Sequence, residues 1–433
     1  MDSPPLPGSN TDRRTFMKSA VAAGVLAGAA KLSSGVFAGE KNTLKIGLVG
    51  CGGRGTGAAS EALNADPDTR LHAMADAFDD RLTDSLARLQ KKHGSQVEVP
   101  RERQYSGFDG YKQVINSCDV VLLATPPHFR PIHLAYCVEK GKHVFFEKPV
   151  AVDITGVRSV IQSAQEAKAK NICFASGFCY RYELAKRETV KRIHDGAIGD
   201  IVAMHVAFNT GPLWHRGQDP KWSDMEYQMR NWYYFTWLSG DHIVEQHVHN
   251  MDKAAWVLNG KMPVAATGLG GRQVRIEKKW GNIFDHHAVV FEYDNGLKLF
   301  SFCRQMPKCY TETVDHIFGT KGQCQLMIHQ ITGQTSWAYQ VKDGKDPSMY
   351  QVEHDELFAA IRAGKVINDG ESAAKSSLMA IMGRMATYTG QRVEWDWLLH
   401  KSKENLSPPA YDMSASLPEW THAVAMPGTT KLV

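Results

Sequence analysis

Three patterns are missing from this 433-residue chain, and each absence excludes a class of site. There is no CxxC pair and no Cys/His set with zinc-ligand spacing, so the sequence predicts no metal site of that kind. The net charge is +4, but no basic stripe interleaved with aromatic residues occurs, so we expect no nucleic-acid partner. No apolar run reaches the ~20 residues that span a bilayer, so no stable membrane insertion is expected. Internal repeats and low-complexity tracts are absent as well.

The first 38 residues have the organisation of an export signal. Arg13 and Arg14 stand in a charged segment, and a short, weakly apolar run follows over residues 19–30. The tripeptide ending at Ala38 has the spacing of a cleavage site. These features predict a twin-arginine signal over residues 1–38 and a periplasmic or exported protein. The alternative is a disordered N-terminus with a chance pair of arginines.

The eight cysteines are scattered along the chain. An even number permits disulfides in an oxidising compartment. Twin-arginine substrates fold before export, however, and they do so in a reducing cytosol. We therefore expect mostly free, buried thiols, with Cys303 and Cys309 as the first pair to test for a bond.

A glycine-rich turn follows the first apolar run of the mature chain. Residues 44–49 are typical of a buried parallel strand, and Gly50-Cys51-Gly52-Gly53-Arg54-Gly55 leads directly into a predicted helix. In this position Gly50 makes the tight turn, Gly52 lets the backbone approach a pyrophosphate, and Gly55 lets helix and strand pack closely. The helix N-terminus would stabilise the phosphate charge. The pattern predicts a dinucleotide-binding turn.

A second predicted strand ends in an acidic residue that could select the cofactor. Asp76 closes this strand, 26 residues after Gly50, near the spacing of a carboxylate that binds the adenosine ribose. Such a carboxylate repels a 2′-phosphate, so we expect NAD, with NADP as the alternative. Asp79 and Asp80 are rival candidates for the role, and Asp76 is otherwise a surface or helix-capping residue.

Two further buried strands end in short motifs that carry a family resemblance. Residues 119–125 lead into Pro126-Pro127-His128, and residues 143–146 lead into Glu147-Lys148-Pro149. Together with the glycine turn, these motifs resemble the Gfo/Idh/MocA oxidoreductase family, and the match covers most of the mature chain. The Glu-Lys-Pro tripeptide is the most specific mark.

The resemblance implies roles for the residues around these motifs. Lys148 is expected near the nicotinamide and the reacting hydroxyl, with Glu147 and Pro149 positioning it; the alternative is a lysine paired with a nearby carboxylate. Burial would lower the pKa of such a lysine and suit it to proton transfer. The predicted cofactor-binding residues are Gly50, Gly52, Gly53, Arg54, Gly55, Asp76, Thr125, Pro127, His128, Glu147 and Lys148.

The second half of the chain predicts a different kind of sheet. Residues 171–178 are expected to close the first domain, and long strands follow, including a pair that flanks the turn at Asp294-Asn295-Gly296. The expected fold is an α/β Rossmann domain followed by an α+β domain with a large, mostly antiparallel sheet, one face of which could bind ligand or pair with another subunit. The predicted divisions are a signal (1–38), a NAD(P)-binding domain (43–170), a substrate and oligomerisation domain (171–368), a returning helix (369–395) and an irregular tail (396–433).

Residues 240–256 predict a helix that carries the acid/base chemistry. Glu245, His249 and Asp252 fall at i, i+4 and i+7, on one face. The family commonly has Asp-x-x-x-His-x-x-Asp here, and Glu245 takes the first position, so the resemblance makes His249 the acid/base and Glu245 its neighbour. Oxidising a carbinol needs a base for the O–H proton, and histidine suits that role. A divalent metal held by His242, Glu245 and His249 is the rival hypothesis; the third is that some of these side chains only cap or pack.

An aromatic and polar stretch precedes this helix. Aromatic faces stack on sugar C–H surfaces, while arginine and histidine bind hydroxyls, so the stretch is typical of a carbohydrate pocket or, alternatively, of a core or subunit contact. The predicted substrate-binding residues are Tyr180, Arg181, Trp214, Arg230, Trp232, Tyr234 and His249.

Residues 370–386 predict an amphipathic helix. The family resemblance implies that this helix packs back on the nucleotide domain. The proline-containing tail after about residue 407 is expected to wrap a neighbouring subunit. The leading functional hypothesis is an NAD-dependent oxidoreductase acting on a hydroxyl of a sugar, glycoside or cyclitol, with Lys148 and His249 managing protons. The cofactor would stay bound and be recycled, since free NAD(P) is scarce outside the cytosol, and the protein is expected to be a homo-oligomer through its C-terminal sheet. The alternatives are a redox-neutral NAD-dependent glycoside hydrolase and a non-catalytic sugar-binding protein.

Overall fold

The computed structural model describes residues 43–341, 344–415 and 423–433. The predicted signal at residues 1–38 lies outside this part of the chain. Within it, no helix combines the length and the apolar character needed to cross a membrane.

The N-terminal half folds around a six-stranded parallel sheet. Its strands lie in the order β3-β2-β1-β4-β5-β6, and their apolar residues are buried on both faces because helices cover both sides. The strands are β1 (Leu44–Val49), β2 (Thr69–Asp76), β3 (Gln104–Ser106), β4 (Val120–Leu123), β5 (His143–Phe146) and β6 (Phe174–Ser176). The helices are α1 (Gly53–Ala65), α2 (Asp79–His93), α3 (Gly110–Ser117), α4 (Arg130–Glu139) and α5 (Ile154–Ala169). The strand order reverses between β1 and β4, where ligands bind in such sheets.

The second half contains a nine-stranded sheet in the order β14-β13-β12-β11-β7-β10-β9-β8-β15. All of its pairings are antiparallel except that of β7 with β10, as predicted for a mostly antiparallel sheet. Its strands are β7 (Ile201–Thr210), β8 (Ala265–Gly271), β9 (His286–Glu292), β10 (Lys298–Gln305), β11 (Glu312–Gly319), β12 (Gly322–Gln325), β13 (Gln330–Gly333), β14 (Trp337–Ala338) and β15 (Val393–Glu394). The remaining helices are α6 (Leu184–His194), α7 (Asp224–Arg230), α8 (Thr236–Ser239), α9 (His242–Glu245), α10 (Val248–Val257), α11 (Met349–Arg362), α12 (Gly370–Thr389) and α13 (Trp395–His400).

The returning helix α12 joins the two halves. It packs against α5, β8 and α10. Every residue from Ser376 to Thr387 is buried, so this part of the helix is enclosed on all sides and the amphipathic pattern predicted for it is wrong. Its apolar side chains belong to one cluster that also contains strand residues from both sheets. Burial of this helix therefore stabilises both halves together.

Helix α11 and the tail also make contacts with distant parts of the chain. Helix α11 falls within the predicted substrate domain, 171–368, but it packs against α1 of the nucleotide domain. The described part of the tail contacts its own chain, since the hydroxyl of Tyr411 lies 2.7 Å from Nε2 of His128 and the backbone of Leu406 bonds to Asp153. All eight cysteines are free thiols, and only Cys309 is exposed, so the expectation of free thiols is confirmed and the Cys303–Cys309 bond is absent.

Candidate functional site

The glycine turn lies between β1 and α1, at the carboxyl edge of the parallel sheet. Gly50 has φ +98°, and a Cβ there would lie 2.6 Å from the backbone of Ala124 and Thr125. A Cβ on Gly55 would lie 1.9 Å from the carbonyl oxygen of Gly50, so only glycine lets helix and strand approach this closely. At Gly52 and Gly53, by contrast, a Cβ would meet nothing within 4 Å. The turn is tight where the protein packs on itself and open where a ligand would approach.

A cavity of about 430 Å³ opens from this turn. Its walls include the glycine turn, Asp76, Phe78 and Phe108 of the nucleotide domain, and Thr125 after β4. The second domain contributes five further residues: Trp214, Arg216, Met229, Arg230 and Trp232. Helix α1 begins at Gly53 with no side-chain cap, so its first amide groups stay available for an anion. These features fit a dinucleotide with its pyrophosphate at the turn.

Asp76 lies in this cavity, at the end of β2. Its carboxylate accepts the backbone N–H groups of Cys51 at 2.6 Å and Phe78 at 3.0 Å, which fixes its orientation beside the turn. Burial raises the pKa of Asp76, although the two N–H donors favour the charged form. The rival Asp79 pairs with Arg101, and Asp80 pairs with Arg230. Among the three carboxylates, only Asp76 lines the cavity.

Arg54 lies at the cavity wall, but its guanidinium is bonded to the protein itself. It donates to Glu147, to Glu61 at 2.9 Å and to Glu353 at 2.9 Å. Burial works against its charge, but the three carboxylates together raise the pKa of Arg54 above its ordinary value. Arg54 therefore links the glycine turn to Glu147, the neighbour of Lys148 in the sequence, rather than presenting a free cation.

The segment after β4 is held against the end of β5 by a buried arginine. Arg130 donates to the carbonyl oxygens of Thr125 and Pro149, both at 2.7 Å. Thr125 lines the cavity, as predicted for a cofactor residue. Pro127 and His128 are buried beside it and do not line the cavity. His128 bonds to Tyr411 of the tail, and burial lowers its pKa to about 4, which leaves the imidazole neutral.

Lys148, Glu245 and His249 converge at the end of β5. Nζ of Lys148 donates to the carbonyl oxygen of Glu245 at 2.7 Å and to its carboxylate at 3.1 Å. Lys148 and Glu245 keep 15% and 16% of their side-chain surface exposed, so the pair is partly accessible to solvent. His249 lies close enough for the charge of Lys148 to act on it. Lys148 is therefore paired with a carboxylate, as the alternative hypothesis for it expected. The same lysine also lies near His249, the candidate acid/base.

His249 is held as a neutral imidazole. Burial, followed by the positive charges of Lys148 and Lys253, lowers the pKa of His249 well below its ordinary value of 6.5. Its Nδ1 is shielded from solvent and has no hydrogen-bond partner. The ring of Tyr180 stands edge-on at 5.1 Å between centroids. A neutral imidazole has a free lone pair and can accept a proton, and the neighbouring ammonium group lowers its affinity for that proton.

The helix predicted over residues 240–256 is two helices. Helix α9 ends at Glu245, and α10 begins at Val248. His247, in the break, bonds through its ring to Ser301 of β10 at 2.8 Å. Within the described residues, His242, Glu245 and His249 do not form a set of converging ligand atoms, because His242 lies instead with Asp241 and His287.

The predicted substrate residues are divided between several places. Tyr180 lies beside His249, but the guanidinium of Arg181 is engaged by Asp252 at 2.8 Å. Tyr234 is fully buried, and its hydroxyl donates to the carbonyl oxygens of Leu213 and Trp214. The remaining three, Trp214, Arg230 and Trp232, line the cavity of the glycine turn. The aromatic stretch therefore covers the cofactor cavity, which the sequence did not indicate.

Several residues of the site were not predicted from the sequence. Arg130 had no recognisable motif, and its role follows only from the backbone oxygens it reaches. Glu353 bonds to Arg54 although about 300 residues separate them. Arg81 and Arg216 line the cavity from different domains. The one available signal was their residue type, since arginine is common where phosphates bind.

Comparison with known families gives two matches along the chain. Residues 44–174 match the NAD-binding Rossmann fold of the Gfo/Idh/MocA oxidoreductase family, and residues 187–325 match a C-terminal domain of the same family.

The individual relatives include dehydrogenases and glycosidases. The inositol 2-dehydrogenase of Rhizobium meliloti is 25% identical over 347 residues, which are 76% of this chain and 94% of that enzyme. A glycosyl hydrolase family 109 protein of Phocaeicola vulgatus is 26% identical over 204 residues, which are 46% of this chain and 37% of that protein. The chain spans less than two thirds of several of the curated relatives it matches. A levoglucosan dehydrogenase in complex with NADH and levoglucosan has the same fold, with a TM-score of 0.64 over 81% of this chain and 99% of that one, at 18% identity.

Proposed function

The chain belongs to the Gfo/Idh/MocA family of NAD-binding oxidoreductases, and on that premise we propose that it oxidises a ring hydroxyl of a sugar, glycoside or cyclitol. The single observation that carries this proposal is the grouping of Lys148, Glu245 and His249 at the end of β5. When bound, the nicotinamide supplies the acceptor for a hydride that leaves the ring carbon. The substrate class is supported by relatives named for inositol and a structure named for levoglucosan.

The residues of the cluster divide the proton chemistry. Nε2 of His249 accepts the proton of the substrate hydroxyl, because its imidazole is neutral near pH 7. The ammonium group of Lys148 stabilises the oxygen as negative charge develops on it. Glu245 holds that ammonium group in place through two contacts. Tyr180 keeps its proton, since burial raises its pKa to about 12, and can donate a hydrogen bond to the substrate.

The cofactor is proposed to stay bound between turnovers. Five residues of the second domain close the cavity over the nucleotide domain, and Arg230 ties the two domains together by its ion pair with Asp80 at 3.1 Å. The guanidinium of Arg230 also lies over the ring of Phe78, 4.1 Å from its centroid. Release of a dinucleotide would require these contacts to open. A retained cofactor must be regenerated in place by a second half-reaction.

A redox-neutral glycoside hydrolase is the second candidate. It is favoured by the match to glycosyl hydrolase family 109 proteins. In that case oxidation is followed by elimination, addition of water and return of the hydride, so the net result is glycosidic cleavage. Both candidates use the same cluster and differ only in the fate of the oxidised sugar.

The test is to denature the purified protein, identify the released nucleotide by mass, and screen glycosides, sugars and cyclitols without added NAD. Turnover without added cofactor supports retention, and the products separate oxidation from cleavage. Turnover only with added NAD contradicts retention. A bound nucleotide whose reduced-nicotinamide absorbance changes with none of the substrates contradicts catalysis and favours a sugar-binding protein.

Export and self-association complete the proposal. The signal at residues 1–38 is proposed to direct the protein through the twin-arginine pathway, and loss of the exported form in an R13K/R14K variant would support it.

Self-association through the large sheet is supported by Leu269, Phe300 and Phe302, which are exposed on one face of it. Light scattering of the purified chain should give a mass above 48.1 kDa, and a monomer would contradict this contact.

A further inference from the structure

A chain of hydrogen bonds runs from helix α11 to Lys148. Oε1 of Glu353, on α11, accepts from Nη2 of Arg54 at 2.9 Å. Nε of Arg54 donates to Oε1 of Glu147. The other carboxylate oxygen of Glu147, Oε2, accepts the backbone N–H of Lys148 at 3.3 Å. Three hydrogen bonds therefore connect a distant helix to the backbone of the lysine in the proposed active site.

The carboxylate of Glu147 has little room to leave this chain. Its side chain is 8% exposed. A Cβ on Gly177 would lie 2.9 Å from Oε1 of Glu147, so the backbone of Gly177 packs directly on the carboxylate. The position of Arg54 therefore bears on the N–H group of Lys148, because one carboxylate with little freedom binds both.

Arg54 is surrounded by more negative charge than it can neutralise. Its guanidinium carries one positive charge and donates to three carboxyl groups, those of Glu61, Glu147 and Glu353. The side chain of Glu61 is 21% exposed, whereas that of Glu353 is 1% exposed. Burial disfavours the charged form of a carboxyl group, and so does a neighbouring carboxylate. The group favoured to hold a proton is therefore the most buried one, Glu353.

The second oxygen of Glu353 favours the same assignment. Oε2 has no hydrogen-bond partner among the described residues and is shielded from solvent. An ionised oxygen there would leave a buried charge without a donor, whereas a protonated oxygen leaves an uncharged group. Burial, followed by the charge of Glu147, raises the pKa of Glu353 well above its ordinary value of 4.5, although Arg54 acts in the opposite direction.

The other titratable groups around Glu353 do not stabilise a negative charge on it. The groups that interact with it from neighbouring elements are Arg54 and Glu61 of α1, Glu147 at the end of β5, Cys179 and Tyr182 after β6, and Asp369 before α12. The thiol and the hydroxyl in this set are uncharged, since burial raises the pKa of each. The next residue, His354, is neutral, because burial lowers its pKa well below 6.5. The charge of Glu147 acts on Glu353 more strongly than that of Arg54.

We propose that Glu353 is a positioning residue of the active site: as an uncharged carboxylic acid it holds Arg54, and through Arg54 and Glu147 it fixes the backbone of Lys148. Only the part that Lys148 takes in turnover rests on the proposed function. The support matters because a displacement of about 1 Å in a catalytic group can lower a rate by about 100-fold.

The uncharged state of Glu353 is tested by measuring the free energy of unfolding of the full-length chain between about pH 5 and pH 8. A carboxyl group with a raised pKa in the folded state destabilises that state as the pH rises above the ordinary value of 4.5. E353Q keeps an oxygen that can accept from Arg54 but cannot ionise. The wild type should therefore lose stability relative to E353Q as the pH rises. A difference between the two that does not change with pH overturns the assignment.

The positioning of Lys148 is tested by trace acetylation of the folded chain, with the extent at each lysine read by mass spectrometry. E353L removes the acceptor for Arg54; E353D shortens the side chain by one methylene and serves if E353L fails to fold. In either variant Lys148 should be acetylated several-fold faster relative to the other lysines, and in E353Q it should match the wild type. The matched control is E356L, which breaks the half-exposed pair of Glu356 with Arg187 on the same helix and should leave the rate unchanged.

Turnover of the substrate that the screen identifies is measured in the same variants. In E353L kcat should fall by about 10- to 100-fold with KM unchanged, and in E353Q it should stay near the wild-type value. Acetylation of Lys148 at the wild-type rate in both E353L and E353D overturns the positioning role, even if kcat falls. Faster acetylation with an unchanged kcat supports the positioning role and contradicts the catalytic role proposed for Lys148.

Discussion

Gly52 and Gly55 stand three residues apart in the same turn. Alanine should weaken NAD binding at Gly52 and lower the stability of the protein at Gly55. Gly52 has φ −72° and ψ −176°, a conformation open to any residue, and its Cβ would meet no protein atom within 4 Å. The Cβ of alanine at Gly55 would lie 1.9 Å from the oxygen of Gly50, which is backbone and cannot turn aside. Gly57, one turn into α1, would make only an ordinary contact of 3.5 Å and serves as the matched control.

The magnitudes follow from these contacts. In G52A the stability should fall by less than about 1 kcal/mol, the cost of alanine at a helix N-cap. The added methyl group would keep the pyrophosphate from the backbone and remove one or two charge-assisted hydrogen bonds, which is about 2–3 kcal/mol, or roughly 30- to 150-fold in Kd. In G55A the clash should cost about 1–3 kcal/mol of stability or more. G57A should be neutral or gain about 0.5–1 kcal/mol, since alanine is the better helix former.

The assay is calorimetric titration of NAD into cofactor-stripped protein, combined with Tm from circular dichroism. The reasoning requires G52A to lose affinity at nearly unchanged Tm, G55A to lose Tm, and G57A to lose neither. An unchanged Kd for G52A would refute the placement of the pyrophosphate at this turn. A Tm for G55A equal to that of the wild type would refute the close approach of α1 to β1.

Four further predictions concern the cluster and the cavity. H249Q should lower kcat by about 10²- to 10⁴-fold, as measured by single-turnover absorbance, because it removes the base. The Kd for NAD should stay unchanged, because His249 makes no cofactor contact. A loss of NAD binding instead would contradict the role of His249 as the base. Because the pKa of His249 is depressed, the imidazole is neutral at pH 6.5, and the acid limb of kcat/KM should lie below pH 6.5; a limb centred above that value would argue against His249 as the base. D76N should weaken the preference for NAD over NADP by about tenfold, since it removes the charge that repels a 2′-phosphate. The measurement is the ratio of the two Kd values. An unchanged ratio would mean that residues other than Asp76 determine the cofactor preference. R230M breaks the ion pairs with Asp80 and Glu226 and should speed the release of bound cofactor, measured by dilution into a nucleotide trap, whereas R101M, at an exposed pair, should leave it unchanged.

Local patterns predicted the nucleotide half well. The strand, the glycine turn and the helix after it are read from neighbours in the sequence, and their geometry depends on backbone sterics that few residues other than glycine can meet. The convergence of Lys148 with His249 was expected from the resemblance rather than from spacing, because about 100 residues separate them. The twin-arginine signal, the assembly state and the roles of individual site residues stay predictions.

The surroundings of several residues depended on partners distant in the sequence. Trp214 and Trp232 were assigned to a sugar pocket from their residue types, but the cavity they line belongs to the glycine turn. Arg181 was a candidate for substrate, and Asp252 engages it. The pattern of α12 indicated one apolar face, although every residue from Ser376 to Thr387 is buried between the two halves of the protein.

The sequence by itself determined the class of the protein: the order of strands and helices, the phosphate-binding turn and the chemistry of its candidate base. These are local properties, set by side-chain periodicity and by the φ and ψ angles that each residue can adopt. Only the tertiary structure decided which charges meet. It paired Lys148 with Glu245 and lowered the pKa of His249 through burial and two lysines. It also engaged Arg54 with three carboxylates and enclosed two unpartnered imidazole nitrogens beside Asp241. Electrostatic interactions depend on distance and burial rather than on position along the chain, so they exist only once the chain has folded.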